Sequence, residues 1–199
     1  IDVVSEVAFL VMDLRAHGLE GLAWRLLNAW LASSGDYAGI RVLRCYLVYR
    51  AMVRAKVACL RGSAQEFRSH LALAESFAAE CRAALVATHG LSGSGKTALS
   101  QALLERTGAV RVRSDVERKR LHGIGAPRRH GRAEPNAGIY GAAASARTYD
   151  RLADIARVIL QARYPAIVDA AFLHRRERDR FRNLAREFGT RFVIAACSA

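Results

Sequence analysis

The stretch that most restricts this chain is Gly90-Leu91-Ser92-Gly93-Ser94-Gly95-Lys96-Thr97. Its spacing is Gly-x-x-x-x-Gly-Lys-Thr, the pattern of a phosphate-binding loop, or P-loop. The preceding Ala84-Leu85-Val86-Ala87-Thr88 is short and apolar, as a buried strand is, and residues 98–105 read as a helix. Strand, glycine-rich turn and helix start together are the setting that gives the pattern its purpose. Glycines let successive backbone N–H groups turn inward around a phosphate. The helix start adds free donors and the positive end of its dipole. Gly90, Ser92, Gly93, Ser94, Gly95, Lys96 and Thr97 are therefore the expected nucleotide-binding residues, with Lys96 on the β- and γ-phosphates of ATP and the Thr97 hydroxyl on Mg²⁺.

A chain of 199 residues is long enough for one domain or one and a half, with a substantial core. No apolar run approaches the ~18 residues of a membrane helix, and no secretory leader is recognisable. Cys45, Cys59, Cys81 and Cys197 are scattered without a Cys-x-x-Cys pair, which fits reduced thiols in a cytoplasmic protein. The first residue is Ile rather than Met, which suggests a fragment. The net charge of +13 comes almost wholly from arginine, and lysine occurs only at Lys56, Lys96 and Lys119. Much of this charge is consistent with solvated helix faces. Part of it is focused: Arg111, Arg113, Arg118, Lys119, Arg120, Arg128, Arg129 and Arg132 face only Asp115 and Glu117 in the same stretch. Such a field suits phosphates, or nucleic acid.

Residues 1–82 read as helices throughout. Val3, Val4, Val7, Leu10, Val11 and Leu14 recur at helical spacing in the first. A second, about 19–32, carries Leu22, Leu26, Leu27 and Trp30 inward. A third, about 37–61, carries Ile40, Leu43, Leu47, Met52 and Val57. Ser63 with Glu66 suggests a capping box for the fourth, which ends near Cys81-Arg82. No catalytic constellation is visible there, and His17 and His70 read as surface or packed residues. From Ala83 short apolar runs alternate with helices, the signature of an α/β fold with a parallel sheet. The expected strands are 84–88, 109–113, 166–169 and 191–196. Helices are expected at 115–121, 142–162 and 175–188, and a glycine- and proline-rich loop spans 123–141.

Three places beyond the loop bear on chemistry. Asp115, just past the second strand, is placed to take a proton from a hydroxyl, and Arg118 three residues on projects to the same side of a helix. Ligands bind at such strand ends in open α/β sheets. The competing reading is that Ser114 or Asp115 merely caps the helix. Asp169 closes an apolar strand, where an acid can hold a Mg²⁺-bound water opposite Thr97; the competing reading is a turn acid at a strand end. Ala170 follows it rather than a second acid, which disfavours a mechanical ATPase. The mixed charges of residues 175–180 read as a solvated face.

Residues 84–199 resemble the P-loop small-molecule kinase group of AAA-type ATP-binding proteins. The motifs are the loop itself, Arg113-Ser114-Asp115-Val116-Glu117-Arg118-Lys119-Arg120-Leu121, and Val168-Asp169-Ala170-Ala171-Phe172-Leu173. The Asp115-x-x-Arg118 pair is similar to the hydroxyl-activating pair of polynucleotide kinase; zeta toxins and gluconate kinases use related acids. The resemblance implies a three-layer sandwich with strand order 2-3-1-4, and an arginine-bearing lid and fifth strand expected beyond Ala199. Residues 1–82, through the segments 1–10, 35–37 and 46–51, resemble the helical C-terminal end of an aminoglycoside phosphotransferase or choline-kinase-like domain. That resemblance places the domain's catalytic residues upstream of this chain and leaves Asp2 a structural acid.

The expectation is thus an α/β domain at 83–199, after a helical segment at 1–82. It implies an ATP- and Mg²⁺-dependent kinase acting on a hydroxyl of a small or nucleotide-like acceptor. Lys96, Asp115 and Arg118 are its catalytic residues, and Thr97 and Asp169 its metal residues. The rivals are an acceptor-free NTPase and a non-catalytic module gripping nucleic acid. The second lacks aromatics interleaved with the arginines of 111–132. The acceptor pocket falls to the 122–140 loop and the lid.

Overall fold

The computed structural model describes residues 2–79, 83–124 and 141–197. The expected end of the fourth helix at Cys81-Arg82, nearly all of the 123–141 loop, and Arg128, Arg129 and Arg132 lie outside the described residues.

Four helices come first: α1 (Val3–Ala16), α2 (Glu20–Ser34), α3 (Ile40–Leu60, after a 3₁₀ turn at Tyr37–Gly39) and α4 (Ala64–Ala78). Asp2 starts α1 by accepting a hydrogen bond from the Val4 amide at 2.9 Å. The same carboxylate accepts from the Tyr46 hydroxyl at 2.7 Å, tying α1 to α3. The buried faces differ in part from the sequence expectation. Val3, Leu10, Leu22 and Met52 are exposed. Ala8, Ala23, Ala51, Ala55 and Ala58 are buried beside Val11, Leu27 and Leu47. Small side chains let helices approach closely, so the buried stripe follows the alanines and turns some larger residues outward. Ser63 makes no side-chain capping bond to α4, so the expected capping box is not formed.

The α/β part runs β1 (Ala84–His89), α5 (Lys96–Thr107), β2 (Val110–Arg113), α6 (Ser114–Leu121), α7 (Ala142–Gln161), β3 (Ala166–Asp169), α8 (Arg175–Glu187) and β4 (Arg191–Ala196). The strands form one parallel sheet in the order β2-β3-β1-β4, as the sequence led us to expect. β3 is buried along its whole length, the mark of a central parallel strand covered on both faces. Strand alternation sorts the side chains onto two faces. Leu85, Ala87, Val110, Val112, Ala166 and Val168 pack in the core shared with α7 and α8. Val86 and Ile167 point the other way, to Leu103 and Leu104 of α5. Arg111, Arg113 and Asp169 lie on this α5 face, with Arg113 in register with Asp169. The core of the helical segment and that of the sheet are continuous, running from Leu27, Leu31 and Leu43 to Val112, Leu152 and Ile155. Among the described residues no helix is long and apolar enough to cross a membrane.

Candidate active site

The loop between β1 and α5 is held open by its neighbours. Gly90 adopts φ +143°, and a Cβ there would lie 2.4 Å from the Cys197 carbonyl oxygen. Only glycine fits that approach. The Gly90 amide donates to the Ala171 carbonyl at 3.2 Å, and the Cys197 amide donates to His89 at 2.7 Å. The start of the turn is thereby tied to the chain leaving β3 and to that leaving β4. Lys96 Nζ donates to the Leu91 carbonyl and lies 3.4 Å from Ser94 Oγ, so the ammonium sits across its own loop. A phosphate entering the turn replaces neutral oxygens around that ammonium with charged ones, a stronger partner.

Thr97 and Asp169 meet. Thr97 Oγ1 donates to Asp169 Oδ2 at 3.1 Å, although 72 residues separate them. Asp169 is buried, and two further groups surround it: Ser100 Oγ at 3.2 Å and Arg113 Nε at 3.7 Å. A hydroxyl and a carboxylate at one helix start fit the hard-oxygen preference of Mg²⁺. Behind them lies Arg111, which donates from Nη1 to Ser100 Oγ (3.0 Å) and the Thr97 carbonyl (3.3 Å), and from Nη2 to Gln101 Oε1 (2.7 Å). Burial first, and the charge of Arg113 next, pull the Arg111 guanidinium below its ordinary pKa.

Asp115 and Arg118 stand on α6 across the cleft. The helix takes Arg113 as its N-cap residue and has no side-chain capping bond, so neither Ser114 nor Asp115 is consumed as a cap. Asp115 is half-exposed and ion-paired with Lys119 at 2.9 Å. Arg118 Nη1 donates to Ser145 Oγ of α7 at 3.3 Å. Ser92, Gly93, Gly95, Lys96, Thr97, Asp169, Asp115 and Arg118 all line one cleft of about 580 Å³, with Arg113, Ser114 and Ala171 between. Gly90 and Ser94 shape the loop behind it. The residues expected from the sequence at the loop, at the end of β3 and on α6 are thus brought to one cleft.

The back of α6 is anchored separately. Glu117 is fully buried and bonded by Arg120 and by Arg151 Nε at 3.3 Å. Arg120 also donates to the Ala32 carbonyl at 2.6 Å, at the end of α2. Gly35 leaves room for it, since a Cβ there would lie 2.8 Å from Arg120 Nε. Burial, then the Glu117 carboxylate, pushes the Tyr37 hydroxyl well above its ordinary pKa. On the far side of the sheet Phe172 adopts φ +48° while fully buried. Its amide donates to Tyr149 Oη at 3.0 Å, and its carbonyl accepts from Arg178 at 2.6 Å. Arg178 is therefore turned inward and Glu177 is buried, so the solvated face expected over 175–180 holds only in part, at residues such as Arg175 and Arg176.

Sequence reasoning placed Arg111, Arg113 and Lys119 only in a basic stretch suited to phosphates, with no individual role, and did not single out Ser100. The signal for the two arginines was present: in Val110-Arg111-Val112-Arg113 the period of two puts both on one face of β2. Ser100 and Lys119 are visible only as neighbours at helical spacing from Lys96–Thr97 and Asp115. Among the described residues no group of three or more His, Cys, Asp or Glu side chains is gathered as a metal site. The fit to Mg²⁺ rests on Thr97 and Asp169 together with nucleotide phosphates.

The chain is similar to known proteins over its whole length. Uncharacterized proteins of Mycobacterium tuberculosis and Mycobacterium bovis are 30% identical over 208 residues, covering all of this chain and 41% of theirs. The chain thus spans about two fifths of the length of these curated relatives. A solved Chloroflexus aurantiacus chain with a provisional kinase designation aligns at 23% identity and a TM-score of 0.46, over 59% of this chain and 60% of that one. The model of the AAA domain family matches residues 85–199, which includes the described strands except Ala84 of β1, the loop, Asp115, Arg118 and Asp169. With more than half of its length matched, and a P-loop built as the nucleotide site requires, the chain belongs to the AAA domain family.

Proposed function

We propose that this chain is a Mg²⁺- and ATP-dependent kinase that transfers the γ-phosphate to a hydroxyl of a small or nucleotide-like acceptor. The observation that carries the reading is the single cleft with Lys96, Thr97 and Asp169 on one wall and Asp115 and Arg118 on the other. An NTPase needs only the first wall. Phosphoryl transfer asks chiefly for positioning and charge neutralisation, and each side chain has such a task. The loop amides and Lys96 hold the phosphates. Thr97 and Asp169 offer oxygens to Mg²⁺, which when bound neutralises charge on the β- and γ-phosphates. Asp115 accepts the acceptor's hydroxyl proton, which requires it to leave Lys119. Arg118 holds an anionic oxygen near that hydroxyl. Asp169 followed by Ala170 supports a kinase over a motor, as it lacks the second acid.

In the same reading residues 83–199 form the kinase domain. Residues 1–82 are the helical end of an aminoglycoside phosphotransferase-like domain, working in the cytoplasm. Asp2 supports the second assignment by its structural role, capping α1 and binding Tyr46.

The test is calorimetry with Mg-ATP and transfer of labelled phosphate to sugars, aminoglycosides, nucleosides and 5′-hydroxyl oligonucleotides. Lys96→Ala is expected to weaken Mg-ATP binding about tenfold or more, the loss of a charge-assisted contact. Unchanged affinity sinks the reading. Equal ATP turnover with every acceptor, and none phosphorylated, assigns hydrolysis instead.

A further inference from the structure

Helix α2 lies against β2, whose outer edge it covers. The Arg111 amide and the Ala109 carbonyl both point to that edge, away from β3. Asn28 of α2 is buried and meets both. Its Oδ1 accepts from the Arg111 amide at 2.6 Å, and its Nδ2 donates to the Ala109 carbonyl at 3.0 Å and to Trp24 at 2.9 Å. One side-chain amide thus supplies the acceptor and donor that a fifth strand would have supplied.

The residue so anchored is the one whose side chain reaches the P-loop helix. Arg111 donates to Ser100 Oγ, and also to the Thr97 carbonyl. Ser100 Oγ lies 3.1 Å from the Thr97 carbonyl and 3.2 Å from Asp169 Oδ2, and its single proton goes to the charged carboxylate, the stronger acceptor. A directed chain results, in which Arg111 donates to Ser100, Ser100 donates to Asp169, and Thr97 donates to the same carboxylate oxygen. Partners one bond removed from metal-facing oxygens fix their orientation.

We propose that Arg111 is a positioning residue for the magnesium-facing pair Thr97 and Asp169, and that Asn28 makes helix α2 part of that outer layer of the nucleotide site. The inference rests on the nucleotide reading of the cleft. It assigns the helical segment a role in metal–nucleotide affinity, in addition to covering a strand edge.

The experiment measures ADP affinity by calorimetry in Mg²⁺ and again in EDTA, on the full chain. The unaltered protein binds tighter with Mg²⁺. Arg111→Met is expected to shrink that Mg²⁺ advantage about tenfold while affinity in EDTA changes less than about twofold, the size typical of lost outer-layer partners. Arg111→Lys recovers part of it. Asn28→Leu shifts the advantage in the same direction, and combined with Arg111→Met adds less than the sum of the two, as linked residues do. Ser100→Ala breaks the chain by one hydroxyl and reads the same quantity should Arg111→Met not fold. An Mg²⁺ advantage unchanged in Arg111→Met or Ser100→Ala overturns the proposal. So does an equal loss with and without Mg²⁺, which marks a merely structural role. Strict additivity removes Asn28 from it. Absence of any nucleotide binding by the unaltered chain overturns the underlying site reading as well, and is told apart by that control alone.

Discussion

Asp115 and Asp169 show how little a carboxylate's type says and how much its surroundings say. Asp169 is buried among Thr97, Ser100 and Arg113, all donors to an anion. Asp115 is half-exposed, with Lys119 as its partner, and under the proposed function it exchanges that partner for a substrate hydroxyl. The two therefore separate in a mutant series. Asp115→Asn is expected to leave Mg-ATP affinity within about twofold and to lower phosphoryl transfer about a hundredfold or more, the share of a lost proton acceptor. Single-turnover transfer beside calorimetry checks it; a matching loss of affinity would place Asp115 on the nucleotide instead. The same contrast explains what was legible at this scale. A loop of eight residues with fixed spacing can be read from sequence because backbone amides do the binding. The Thr97–Asp169 bond can be anticipated only in kind, because its 3.1 Å depends on sheet register.

At the scale of the element, α6 is a short helix held from behind. Its front bears Asp115 and Arg118; its back bears Glu117 and Arg120. Helical geometry makes this division automatic, since residues three apart share a face and neighbours do not. Glu117 is fully buried and answers both Arg120 and Arg151. Removing one member of a buried charge group leaves the others desolvated and unpaired. Arg120 and Arg151 keep some solvent access, which tempers the loss. Glu117→Ala is therefore expected to cost about 2–3 kcal/mol in urea unfolding, with Glu117→Gln milder because it keeps a hydrogen bond. A change under about 0.5 kcal/mol for Glu117→Ala would show that the packing of α6 rests elsewhere.

For the whole molecule, the helical segment and the sheet share one core. Asn28 seals β2, Arg120 grips the end of α2, and Arg41 and Arg44 reach Gln161 and the Arg163 carbonyl near α7. Continuous cores unfold together. Both tryptophans, Trp24 and Trp30, lie in α2, whereas far-ultraviolet circular dichroism reports all helices and strands. Urea curves from the two probes are expected to coincide; a fluorescence transition well separated from the dichroism would show two independent units.

Legible from the residues alone were the P-loop, the alternation that makes a parallel sheet, the strand spans within one residue or so, and the acids at the ends of β2 and β3. Each is a local pattern, set by spacing and by the conformations glycine and short apolar runs allow. Through family resemblance the sequence also led to the strand order. Packing of the folded chain set Met52 and Leu22 outward while alanines fill the helix contacts, because that choice depends on how closely helices approach. It alone brought Asn28 to the edge of β2 and turned Arg111 beneath Ser100. Those are contacts between groups 83 and 11 residues apart, and no local rule specifies which donor a folded chain carries to which acceptor.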